Sequence, residues 1–294
     1  MNKGIFLALS AYIFWGLHPI YWKLLQHVPS PELVSHRIVW SFVFFAIVLS
    51  IRNEWKSMVQ KCRQCPKKWI LYVPALLIGS NWAMYIWAVN AGFIIETSLG
   101  YFICPLISVF LGVLVLGERL RSMQWIAIII AATGVVAMTV FYGQFPWISL
   151  YLAGTWAVYG MLRKQSPLDA VEGLTLETAL MMPIALGYLT YVGLTATPSF
   201  LSNTTTSIML IGAGVTSGLP LIVFIIAARL IKLSVIGFLQ YIYPTLIFMV
   251  GAFIYHEPLS EAKMIGFTFI WLALIVYTID GTLAVRRSFA VAAE

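Results

Sequence analysis

Inside long apolar stretches, the sequence places a small set of groups that can bind or carry something. Trp15, His18 and Trp22 recur at spacings of three and four, so they share one helical face next to Pro19. Such a face can stack a flat solute around one titratable ring. Asn81 and Tyr85 share a face at i, i+4, with Trp82 and Asn90 close by. Lys23 and Arg37 can hold a carboxylate or phosphate, and Tyr101, Gln240, Tyr241 and Tyr243 supply hydroxyls and an amide. Glu177 is the proton-coupling candidate. Polar groups in apolar spans are costly and tend to face a bundle interior or a watery cavity.

Each of these groups has a structural alternative. The tryptophans suit a membrane-interface belt, Trp22 better than Trp15. Lys23 can snorkel outward, and Arg37 can pair with Glu32 or Glu96. The asparagines can bond a neighbouring helix, and one carboxylate at Glu177 fits a helix–helix bond. His36, beside Arg37, points elsewhere on its helix and carries no assignment.

Enzyme chemistry finds no motif. There is no GxxxxGK[ST] to cradle phosphates, no GxSxG, and His256-Glu257 is followed by Pro-Leu-Ser where HExxH needs a second histidine. Cys62 and Cys65 form a CxxC, but a tetrahedral zinc site needs two further ligands. Cys104 sits in an apolar run and reads as a small apolar residue. No cofactor or metal is expected, and the chain is not read as an enzyme.

The elements that must position these groups follow from composition. The 294 residues are 61% hydrophobic and 10% charged, against roughly a quarter charged in soluble domains. A spanning helix needs about 20 mainly apolar residues. The sequence predicts ten: 4–25, 31–51, 69–91, 96–117, 123–141, 146–162, 173–194, 206–228, 234–255 and 262–283. The first lacks a cleavage motif and reads as a retained span.

The net charge of +7 is explained by location. Arg52, Lys56, Lys61, Arg63, Lys67 and Lys68 fill the connection after the second span. Arg119 and Arg121, Arg163 and Lys164, Arg229 and Lys232, and Arg286 and Arg287 follow at every second connection. The opposite connections hold Lys263 as their only basic residue. The positive-inside rule then places both termini in the cytoplasm, and the basic residues read as an orientation signal, with no nucleic acid as partner.

The sequence also repeats. A shift of 139 positions brings Pro105 onto Pro244, Gly112 onto Gly251, Glu118 onto Glu257, Leu120 onto Leu259 and Gly79 onto Gly218, without a gap. Residues 1–143 and 144–294 are therefore two copies of five spans each. Five is odd, so the second copy enters the membrane from the opposite side. Inverted repeats are a recurring build of secondary transporters, in which one half rocks against the other.

Tyr101 and Gln240 stand four residues before Pro105 and Pro244. Each proline removes one helical hydrogen bond and frees the carbonyl a turn earlier, so Pro105 and Pro244 are candidate hinges and the paired positions a candidate site. Glu118 and Glu257 read as capping groups, with Ser122 or Ser260 beginning the next helix. Gly214-x-x-x-Gly218, before Pro220, allows close helix approach.

The double pattern of apolar span, internal proline and terminal glutamate resembles the EamA-type repeats of the drug/metabolite transporter superfamily. The motifs WGLHPIYWK at 15–23, SHRIVWSF at 35–42, NWAMYIWAVN at 81–90, SLGYF at 98–102, LGERLRSMQW at 116–125 and GFLQYIYPT at 237–245 resemble its RarD branch. The resemblance implies an all-α integral membrane protein with ten helices around a central cavity, in the bacterial cytoplasmic (inner) membrane. It implies export or exchange of small organic solutes, and it carries a chloramphenicol-sensitivity label. Family members usually have asparagine just before the fourth-span proline, where this chain has Cys104. If that amide touches solute in relatives, specificity differs here.

The expectation is thus a secondary transporter of amino-acid-like or chloramphenicol-like metabolites or drugs, working by alternating access. Its partners are the solute and the lipid bilayer, and a homodimer is compatible with it. A channel-like facilitator, a receptor or a membrane enzyme are the alternatives.

Overall fold

A computed structural model describes residues 3–91, 93–254 and 261–292. Among the described residues the chain forms α-helices joined by short turns, with one π-helical stretch and no strand. In lipid a helix satisfies its own backbone, which is why apolar runs of this length take that form.

In chain order the helices are α1 (Lys3–Leu24), α2 (Ser30–Ile51), α3 (Trp55–Gln64), α4 (Trp69–Asn90), α5 (Ile94–Leu114) and α6 (Ser122–Tyr142). There follow α7 (Trp147–Gln165), α8 (Ala170–Thr195), α9 (Thr204–Leu230), α10 (Leu233–Gln240), α11 (Ile242–Met249), the π-helical Val250–Ile254 and α12 (Glu261–Ala292). Six stretches meet the length and apolarity of a membrane span among the described residues, in α1, α2, α6, α8, α9 and α12. Leu99–Leu114 and Leu233–Met249 add shorter apolar runs.

Capping fixes several helix ends. Asp169 accepts from the Glu172 amide while the Glu172 carboxylate accepts from the Asp169 amide, a reciprocal box that starts α8. Asn203 caps α9 through the Thr205 amide, and Gly143 closes α6 at φ 76°, a left-handed turn that glycine adopts without steric cost.

α2 packs between α8 and α9, α1 against α9 and α11, and α4 against α7 and α8. α5 meets α7 and α10, and α6 lies along α12. Two apolar cores result. One joins α1, α2, α8 and α9 around Phe45 and Phe224, and the other joins α5, α6, α7, α10 and α12 around Phe102, Phe238 and Phe267.

The basic stretch after α2 differs from its reading as a plain connection. It folds as α3, whose Met58 is buried with Leu49, Cys65, Leu71, Leu168 and Val171. Lys61 and Ser57 hold the Glu172 carboxylate at 2.8 and 3.1 Å, and Arg52 reaches Asp169 at 3.0 Å. Charge along ten residues conceals one narrow apolar stripe, so hydropathy alone misses this helix.

The two proline-bearing segments also differ from each other. α5 runs through Pro105 without interruption, whereas the Pro244 segment breaks at Tyr241 into α10 and α11. At the break the Tyr241 amide bonds the Phe238 carbonyl, a tighter turn than the α-helix makes.

Candidate substrate site

α2 carries Arg37 into the bundle, where its guanidinium lies 4.1 Å from the centre of the Trp82 ring on α4 and 5.9 Å from that of Trp22 on α1. Tyr85, Tyr101 and Tyr243 lie near it. The Tyr101 ring lies 6.4 Å from that of Tyr85, and the Tyr101 and Tyr243 rings meet edge-on at 5.0 Å. Five helices thus bring one cation, two tryptophans and three phenols together.

His18 borders this group through Trp22, 5.3 Å between ring centres. Its Nε2 lies 2.9 Å from the carbonyl of Thr216. That carbonyl is the one Pro220 frees four residues later in α9, and because a carbonyl only accepts, Nε2 must carry the hydrogen. The proline's missing bond and the histidine's tautomer are one arrangement.

Towards the end of the bundle where α1 begins lies an aromatic layer. Trp15 packs against Tyr12, Trp156 and Phe224 at 5.9, 5.5 and 5.6 Å, and Trp156 against Tyr159 at 5.7 Å. Beyond it Tyr159 donates to Glu177 at 3.0 Å, and Arg163 Nε stands 3.4 Å from the same carboxylate. All three are buried.

Several sequence-predicted groups are placed elsewhere. Asn81 donates to the Leu152 carbonyl at 2.9 Å and to Thr155 Oγ1 at 2.8 Å, tying α4 to α7. Tyr241 is buried, and its hydroxyl donates to the Phe102 carbonyl. Gln240 is buried beside Cys104. Lys23 is exposed at the end of α1. The side chains of Asn90 and Glu96, and residues Glu257 and Ser260, lie outside the described part of the chain.

Three pairings differ from expectation. Glu32 does not meet Arg37. It accepts from the amides of Ser199 and Phe200 at 2.7 and 3.4 Å and from the Ser199 hydroxyl at 3.0 Å, because it lies near the start of α2 beside the turn before α9. Glu118 does not cap its own neighbour. It accepts from the amides of Leu233 and Ser234 at 2.6 and 2.9 Å and from the Ser234 hydroxyl at 2.5 Å, and so caps α10. Arg163 is buried inside the bundle, where its sequence position suggested a loop charge.

Sequence reasoning also passed over Trp156, Tyr159 and Phe224. The signal was there for α7, since Trp156, Tyr159 and Arg163 share a face at i, i+3, i+7. A separate concavity of about 460 Å³ lies on the outer side of α3, lined by Trp55, Lys56, Val59, Gln60, Arg63 and Gln64. It touches none of the groups above.

A helical membrane bundle that gathers one cation and several aromatic rings at its centre has the make-up of a membrane transporter. The chain belongs to the EamA-like transporter family, whose model matches residues 2–140, and within it to the RarD branch of the drug/metabolite transporter superfamily. Protein RarD of Escherichia coli K12 is 41% identical over 289 residues, covering 98% of this chain and 97% of that one. An uncharacterized transporter of Vibrio cholerae is 45% identical over 281 residues, covering 95% and 93%. The chloramphenicol-sensitive protein RarD of Pseudomonas aeruginosa is 30% identical over 290 residues, covering 97% of each. One solved crystal structure shares the fold, with a TM-score of 0.71 at 19% identity over 95% of this chain and 98% of that one.

Proposed function

We propose that the protein is a secondary transporter of a small organic solute in the bacterial inner membrane, with ten spans built as two inverted five-helix repeats, 1–143 and 144–294. The observation that carries this is the matching of its interfaces. Taking α1, α2, α4, α5 and α6 as the first copy, and α7, α8, α9, α10–α11 and α12 as the second, α1 on α9 matches α7 on α4. Likewise α5 on α7 matches α11 on α1, and α2 on α9 matches α8 on α4. The contacts α2–α8, α5–α10 and α6–α12 each join an element to its own copy, as an axis relating the two halves requires.

Such an arrangement gives alternating access a physical basis, because exchanging the conformations of the two copies exchanges which end is closed. The solute would bind among Trp22, Arg37, Trp82, Tyr85, Tyr101 and Tyr243, with the Trp15 layer closing one side. Pro105 and Pro244 are the bending points, and Glu177 is the proton-coupling candidate, which Arg163 must release before it can exchange a proton.

The test is counterflow in liposomes of labelled amino acids, nucleosides and chloramphenicol, without and with a proton gradient. Chloramphenicol is included because one relative carries that name. Saturable counterflow of any of them is the expected result. Flux that stays linear with concentration would mean a channel, and no flux from folded protein would count against transport of these classes.

A further inference from the structure

We infer that Arg37 is the recognition point for an organic anion, and that the solute of this site is a monocarboxylate with a flat aromatic or otherwise unsaturated body. The inference rests on the transporter reading for its location, but on Arg37's own surroundings for its chemistry.

Three other cations, of which Arg163 alone is buried, reach carboxylates. Arg163 reaches Glu177, Lys61 reaches Glu172, and Arg121 reaches Asp280 at 2.5 Å. Arg37 is different. No described carboxylate lies within ion-pair distance, while its Nε, like that of Arg163, is buried without a hydrogen-bond partner. Glu32, five residues earlier on the same helix, is held by the Ser199 and Phe200 amides. Among the described residues the guanidinium lies over neutral rings, the Trp82 face at 4.1 Å and the Trp22 ring at 5.9 Å, with Tyr85, Tyr101 and Tyr243 nearby.

Arg37 is half-buried with its Nε fully enclosed, and a charged group so placed with no described carboxylate in reach is unfavourable unless something completes it. Stacking on tryptophan offsets part of that penalty but leaves the Nε–H without a partner. The guanidinium's N–H fork matches a carboxylate in two parallel hydrogen bonds. One guanidinium balances one negative charge, which favours a monocarboxylate over a doubly charged phosphate. The remaining lining is aromatic, so the body attached to the carboxylate meets ring faces and edges, and phenol hydroxyls can bond any polar substituent. His18 adds no charge requirement, since its Nε2–H is already given to Thr216.

The experiment is calorimetric titration of the purified full-length protein with phenylacetate and indole-3-acetate, each against its neutral amide. The acids should bind at least about tenfold more tightly than the amides. Arg37→Gln should remove that ratio, and Arg37→Lys should keep part of it, having the charge without the fork. Should Arg37→Gln not yield folded protein, Arg37→Lys and Trp82→Ala carry the test, both reducing the ratio. Equal binding of acid and amide by the wild type, including none of either, overturns the assignment, as does a ratio that persists in Arg37→Gln. Glu96→Gln should leave the ratio unchanged. Acid binding that appears only in that variant would make Glu96 the partner of Arg37 and also overturn it. Chloramphenicol counterflow with no acid–amide ratio would leave transport standing and the anion site refuted, whereas the ratio without counterflow of any solute would do the reverse.

Discussion

The Tyr241 hydroxyl donates to the carbonyl of Phe102 at 3.3 Å, and these two residues are 139 positions apart, the interval at which the sequence repeats. Under the proposed duplication each is the other's counterpart, and their contact lies where the two copies would meet. The neighbouring contacts exchange in the same way. Tyr101 meets Tyr243, and Cys104 meets Gln240, where Gln240 is the counterpart of Tyr101 and Tyr243 that of Cys104. A contact between i and the copy of j, accompanied by one between j and the copy of i, is what a two-fold relation produces.

Tyr241→Phe tests what that bond contributes. Phe102 keeps its helical partner four residues on, so only the phenol loses a bond, and one neutral hydrogen bond is worth about 1 kcal/mol. A small fall in unfolding temperature is expected, with counterflow unchanged at equal protein levels. A large loss of flux would mean that the contact opens and closes during transport.

Glu118→Gln should behave differently. The carboxylate holds two amides and one hydroxyl at the start of α10, and charged hydrogen bonds contribute about 2 kcal/mol each. The variant should be measurably less stable in thermal unfolding, while flux per folded molecule remains. Gln240→Ala should do the opposite, lowering flux more than stability, because Gln240 lies between the Pro244 break and Cys104.

These comparisons show which features were legible in the sequence. The helices were, because apolar length writes them directly, and their predicted ranges agree with the observed ones to within a few residues, except that 234–255 is broken at Tyr241 and α12 continues to Ala292, beyond its predicted end at 283. Much of the polar-aromatic cluster was also legible, since Arg37, Trp82, Tyr85, Tyr101 and Tyr243 are conspicuous in apolar surroundings. Partners were not. Glu118 and Leu233 are 115 positions apart, and spacing along one helix says nothing of what another helix presents. Nor could α3 be read, where one buried methionine among lysines and arginines makes too short a stripe to register.

Gly214→Ala should be among the most damaging small substitutions. A Cβ there would run into the Trp40 carbonyl carbon, and would lie 2.5 Å from its oxygen and 2.7 Å from the Ser41 nitrogen. These are backbone atoms and cannot turn aside, so α2 and α9 must separate. Overpacking of this kind costs about 3 kcal/mol, and the Ser41 hydroxyl would also lose the Gly214 carbonyl it now reaches at 3.3 Å. Gly154→Ala, with open space around its Cβ position, is the control that should fold normally in a thermal melt.

The Arg163–Glu177–Tyr159 group separates structural from coupling roles. Glu177→Gln alone leaves a buried guanidinium unbalanced, at a cost of about 3–5 kcal/mol. Gly173→Ala should injure the same group without touching its charges, since the new methyl would occupy the place of the Arg163 guanidinium. If Glu177 only locks helices, both variants lose stability alike and respond alike to a proton gradient. A gradient response lost in Glu177→Gln and kept in Gly173→Ala, at matched amounts of folded protein, would identify the carboxyl as the coupling group.

Cys62 offers a test of orientation that needs no substrate. It is the most accessible of the three thiols, half-exposed on α3, while Cys65 and Cys104 are buried. Burial first, and the nearby Glu172 charge second, push its thiol above the ordinary range. The thiolate is the reactive form, so labelling by a membrane-impermeant maleimide should be slow near neutrality and keep rising through alkaline pH. If the basic connections face the cytoplasm, the reagent should mark Cys62 in inside-out vesicles and spare it in intact cells, with Cys62→Ser removing the signal. Labelling from the outside of intact cells would invert the whole topology.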